Sequence, residues 1–232
     1  MKRLILISIL FAGAFAQAQG SGAMKVKVGT QAKPAAAATG ASPFQFLEQG
    51  QNDTLLAFPA EFLREAVNEH GETLLIKAIV DEKIEIAEKL IPKSNLAALD
   101  KVGNDALLYA VTGGQTSLVA KLLKAGAKTD RLYDEARENI AFEAARGGDV
   151  KLLTLLLKHD PKLVSGKNKA GQGLIEAANA AAQSETTLLL AKDVGARRAL
   201  SAEGKTALLK DLARQKKNSR AGEIRQLLES AK

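Results

Sequence analysis

Lys101-Val-Gly-Asn-Asp-Ala-Leu-Leu-Tyr-Ala-Val-Thr-Gly-Gly-Gln-Thr-Ser-Leu-Val-Ala-Lys-Leu-Leu-Lys-Ala-Gly-Ala-Lys-Thr-Asp130 is the stretch that decides the fold. A glycine turn at Gly103 leads into a short apolar helix expected over Ala106 to Val111. Gly113-Gly114 break it. A second, amphipathic helix follows, with Leu118, Val119, Leu122 and Leu123 on one side and Gly126 as its stop. A unit of turn, helix, turn, helix and loop cannot hide its apolar side alone. It needs copies stacked against it.

The copies recur along the chain. Turn positions fall at Gly71, Gly103, Arg137, Gly171 and Gly204, separated by 32, 34, 34 and 33 residues. Gly103, Leu107, Ala110, Gly114, Leu122, Leu123, Gly126 and Ala127 make the stretch resemble an ankyrin repeat, whose period is about 33. Asp105, Ala106 and Leu108 depart from that family's Thr-Pro-Leu-His signature, which puts its local hydrogen bonds in doubt here. The resemblance covers roughly Asn68 to Lys232. It implies an all-α fold: an ankyrin-repeat solenoid of about five helix-turn-helix repeats with short hairpin fingers and a helical N-terminal cap.

Composition agrees with thin helix-on-helix packing. The 232 residues are 46% hydrophobic but only 4% aromatic. The absence of Cys excludes disulfides, thiolate metal sites, a Cys nucleophile and a lipoprotein anchor. The formal charge is +7, yet no aromatic residues interleave with the basic ones, so nucleic acid is not an expected partner.

Residues 1–18 read as a signal peptide: Lys2-Arg3 open it, an apolar run spans Leu4 to Phe15, and small residues offer a cleavage site. That run is shorter than the ~20 residues of a spanning helix, so no membrane attachment is expected after cleavage. In a Gram-negative source the mature protein would be periplasmic. Residues 19–42 lack a periodic apolar face and read as a disordered linker. Residues 43–67 hold most of the Phe residues and read as a helical N-terminal cap, the sharper alternative being an exposed Phe docking patch. Residues 68–232 form the repeat domain. Within it, Arg137 stands in a glycine slot, Gly195-Ala196 are expected to close the fourth unit, and Gly204 to open the fifth.

Catalytic constellations are missing from the sequence. His70 and His159 lie in different units without the i+3 or i+4 partner of a helical metal pair. Gly171-Gln-Gly173 is not a phosphate loop, and no nucleophile elbow occurs. No enzyme activity, metal or cofactor is expected.

What remains is surface. Resemblance to the family implies a concave groove of hairpin fingers and first helices, which docks a folded protein. Carried over from designed ankyrin binders, the partner-binding positions are His70, Glu72, Lys101, Asn104, Thr112, Tyr133, Glu138, Arg146, Lys169, Gln172 and Lys205. The Arg146 and Lys169 flank is where an acidic partner would dock. The chain is also similar to the periplasmic ankyrin self-protection (immunity) proteins of predatory bacteria, through its signal peptide, lack of Cys and five repeats. That similarity implies a monomer binding 1:1 to a peptidoglycan endopeptidase of the penicillin-binding-protein type and inhibiting it. The alternative is a non-inhibitory protective or scaffolding partner of another periplasmic protein, such as an oxidative-stress enzyme.

Overall fold

The structure is a computed structural model that describes residues 41–215 and 219–230. The signal-peptide reading and nearly all of the linker reading lie outside the described residues.

Five antiparallel helix pairs stack side by side. They are α4 (Leu74–Val80) with α5 (Ile84–Leu90), α6 (Ala106–Thr112) with α7 (Thr116–Lys124), α8 (Ile140–Gly147) with α9 (Val150–His159), α10 (Leu174–Ala180) with α11 (Ser184–Lys192), and α13 (Ala202–Arg214) with α14 (Ser219–Ser230). α4, α6, α8, α10 and α13 touch in sequence as an inner row; α5, α7, α9, α11 and α14 do the same as an outer row. α12 (Val194–Ala199) packs beside α11.

The sequence accounts for each pair. Leu118, Val119, Leu122 and Leu123 are all buried, as are Leu152, Leu153 and Leu156 one unit later. The inner row is built from small residues, with Ala78, Ala110, Ala144, Ala145 and Ala178 almost fully buried. Alanine lets neighbouring inner helices approach closely, which is why a chain with 4% aromatics can still make a continuous core.

The turn between the two helices of a unit demands one left-handed residue. It is Glu82 (φ 57°), Gly114 (65°), Gly148 (76°) and Ala182 (57°) in the first four units. Two of these carry a Cβ in a region that costs them about 1 kcal/mol. Ala182→Gly is therefore expected to raise stability by about 1 kcal/mol. The check is a thermal melt, with Ala178→Gly, buried inside α10, as a control that lowers it.

Ahead of the repeats, α1 (Pro43–Glu48), α2 (Asn52–Leu56) and α3 (Ala60–Glu65) cover the first unit. α1 lies on α4 and α2 on α5, so they extend both rows by one step. Phe44, Leu47, Leu55, Phe58 and Leu63 are buried there, and Phe58 stacks on Phe62 with ring centres 5.2 Å apart. The Phe cluster faces inward, which leaves the exposed-patch reading without its patch. Lys83 Nζ donates to the Leu47 carbonyl (2.7 Å) and Lys93 Nζ to that of Leu56 (3.2 Å), placing cations at the carbonyl ends of α1 and α2.

Two expectations fail at the far end. Gly195-Ala196 do not close a loop; they lie inside α12. Gly204 does not open a hairpin; it lies in the first turn of α13, where its N–H donates to the Ser201 hydroxyl at 2.9 Å. The fifth unit has a longer helix where the others have a finger and a helix.

Candidate partner-docking surface

Four hairpins project from the starts of α4, α6, α8 and α10. Each is built on an Asn or Asp side chain that accepts N–H groups farther along the turn. Asn68 Oδ1 accepts from His70 (2.9 Å) and Glu72 (3.0 Å), Asp100 Oδ1 from Val102 and Asn104 (both 2.9 Å), and Asn168 Oδ1 from Ala170 and Gln172 (both 3.0 Å). Three residues after that side chain comes the left-handed residue: Gly71, Gly103 and Gly171.

The third hairpin keeps this plan without glycine. Asp134 Oδ1 accepts from Ala136 (2.8 Å), and Arg137 sits at φ 56° where the others have Gly. It differs in shape, as expected, through paired strands: β1 (Leu132–Tyr133) runs antiparallel to β2 (Glu138–Asn139). A second left-handed residue, Asp134 itself (φ 54°), closes the loop between them.

Neighbouring hairpins are tied in two pairs. Lys101 N–H donates to the His70 carbonyl (3.0 Å), and Lys169 N–H to that of Ala136 (2.7 Å). Among the described residues no backbone hydrogen bond joins the second hairpin to the third. Side chains do that instead. The Tyr133 hydroxyl donates to the Asp105 carboxylate at 3.0 Å, and Arg131 Nε lies 3.3 Å from it.

Asp105 is 4% exposed and also caps α6, accepting from Leu108 N–H at 2.9 Å. It thereby takes the place of the capping Thr73 of the first unit, so the missing Thr of the family signature loses no cap here. Burial first, then the Asp105 charge, push the Tyr133 phenol far above its ordinary range, so it stays a neutral donor. Tyr109, whose hydroxyl donates to Asp100 at 2.5 Å, is pushed up to about 12, mainly by burial.

The positions carried over from the family divide on this frame. His70, Lys101, Thr112, Lys169 and Gln172 are exposed on hairpins or at an inner-helix end, and Glu72 and Asn104 are half-buried beside them. Glu72 accepts from Asn68 Nδ2 at 2.6 Å, so it also stiffens its own turn. Tyr133 and Glu138 are buried (6% and 7% exposed), not presented. Lys205 lies on α13 rather than on a finger, for want of a fifth hairpin.

Glu138 binds inward. It accepts from the Arg146 guanidinium and from Asn168 Nδ2 (3.1 Å), and Arg146 also reaches Glu143 at 3.1 Å. Arg146 is thus neutralised by two carboxylates. This removes Arg146, but not the exposed Lys169, from the flank expected to attract an acidic partner.

Among the described residues, two depressions bear on the docking side. One, about 240 Å³, lies between the second and third hairpins and is lined by Asn104, Leu108, Thr112, Tyr133, Asp134, Glu138, Asn139, Glu143 and Arg146. A wider one, about 610 Å³, opens between the fourth hairpin and α13, beside Gln172, Glu176 and Asp211. Burial raises the Glu176 carboxyl above its usual range. No cluster of three His, Asp or Glu residues able to hold a metal occurs among the described residues, nor any helix long and apolar enough to cross a membrane.

The inward turn of Tyr133 and Glu138 follows from partners distant in sequence. Asp105 in a Thr slot leaves a buried acid that needs donors, and Arg146 on the inner helix needs an acceptor.

No family model matches the chain, and no curated protein does. Solved structures do. The immunity protein Bd3460, from the complex with the Bd0816 predatory endopeptidase of Bdellovibrio bacteriovorus, superposes with a TM-score of 0.64 at 21% identity. The match covers 82% of this chain and 98% of that one. EF0377, an ankyrin repeat protein, gives a TM-score of 0.62 at 21% identity, with the same coverage of both chains. With its hairpins, its two helix rows and these neighbours, the chain has the ankyrin-repeat fold.

Proposed function

We propose that this protein is an exported, non-catalytic binding protein that seats its hairpin row and inner helices on a folded periplasmic enzyme and blocks it. The target is a peptidoglycan DD-endopeptidase of the penicillin-binding-protein type, and the role is self-protection. The observation that carries this reading is the match over 82% of the chain to a protein described as an immunity protein in complex with a predatory endopeptidase. A second support is the stiffness of the hairpin row. Turns locked by side-chain acceptors and left-handed residues need little ordering on binding.

Mechanism follows from shape. A rigid array lying over a substrate cleft excludes a polymeric substrate without any chemistry of its own. The protein acts as a monomer, one copy per enzyme.

The test uses the chain without residues 1–18 and a purified endopeptidase of that class. Co-elution as a 1:1 complex and loss of sacculus cleavage are expected. Absence of both at micromolar protein overturns the reading. Co-elution with undiminished cleavage overturns inhibition and favours a protective partner.

A further inference from the structure

We propose that the depression between the second and third hairpins receives one arginine or lysine side chain from the partner. The inference rests on the docking reading above and names the chemistry it selects.

Three observations converge on this place. The first is charge. Asp134, Glu138 and Glu143 line the depression against the single guanidinium of Arg146, leaving a net charge of −2 there on a chain of +7. Arg146 offers no anion site, because Glu138 and Glu143 already hold it. Glu143 keeps its other oxygen, and at its half-exposed position it faces solvent as well as Arg146.

The second is shape. Leu108 and the Tyr133 ring add apolar surface to the lining among these carboxylates. A long cationic side chain lays its aliphatic stem on apolar surface and its head on acceptors. The volume of about 240 Å³ corresponds to about eight waters, enough for one such side chain and not for a folded element.

The third is the interruption in the hairpin row. Backbone bonds tie the first hairpin to the second and the third to the fourth, and among the described residues none ties the second to the third. The depression therefore lies where side chains alone bridge the row, and the second hairpin that borders it through Asn104 also carries Val102, which is 76% exposed. An apolar neighbour of the incoming cation finds its contact there.

Two probes test this. The first is a pair of cyclic hexapeptides, with Leu-Arg or Leu-Glu at the tip, titrated into the isotope-labelled mature chain. The Leu-Arg peptide is expected to shift the amide resonances of Asn104, Thr112 and Glu143, and to lose the effect in about 0.5 M NaCl. Equal shifts from both peptides, or none from either, overturn the proposal.

The second probe is the endopeptidase. Glu143→Lys is expected to weaken its binding about tenfold or more, and Glu143→Gln by less, with both variants melting close to wild type. Glu143→Gln keeps the size of the side chain, so it reports even if the lysine variant folds poorly. If the enzyme binds and neither variant weakens it, the cation seat is wrong while the inhibitor reading stands. If the enzyme does not bind but the Leu-Arg peptide does, the inhibitor reading fails while the cation seat stands.

Discussion

Asp105→Ala is expected to lower folding stability by about 3 kcal/mol or more. The cap on α6 accounts for about 1 kcal/mol, since Leu108 N–H loses its acceptor. The Tyr133 hydroxyl is then left buried without a partner, at a cost of about 1–3 kcal/mol. Arg131 also loses its ion pair. Asp105→Asn keeps the cap and a hydroxyl acceptor and should cost clearly less. Urea denaturation followed by circular dichroism measures both. An Asp105→Ala protein within about 1 kcal/mol of wild type would show that the link between the second and third hairpins carries no energy.

Leu153→Ala is expected to cost about 2–5 kcal/mol. Leu153 is fully buried in α9, and α9 packs on α7, α8 and α11, so the void opens at the middle of the outer row. Stability in a stacked array is a sum over units and their interfaces. A weak middle interface should therefore split the single unfolding transition into two, the ends melting apart. A uniform shift of one transition would contradict that picture.

The period of the turns made the repeats legible, and buried leucines followed from helical spacing. Arg137 was readable as a substituted glycine, and the chain does force it to φ 56°. The fifth unit misled because Gly204 keeps the spacing. Spacing is not what makes the hairpin. Asn68, Asp100, Asp134 and Asn168 each stand three residues before the left-handed position and accept an N–H two residues on. Ser201 stands in that slot before Gly204, and its hydroxyl accepts the N–H three residues on, which starts a helix instead. Acceptance of the N–H two residues on, together with the left-handed residue, is what separates a hairpin from a helix start.

The docking positions were legible as places and not as orientations. Strand alternation in the third hairpin turns Tyr133 inward and leaves Leu132 47% exposed. Which of the two faces water depends on Asp105, a residue 28 positions away. Local pattern alone holds no record of that pairing.

The hairpin row stops at the fourth unit, and a helix start occupies the next place. An identical molecule approaching end-on meets no finger to continue the lattice. Growth into a filament by repeating the hairpin row is disfavoured at that end.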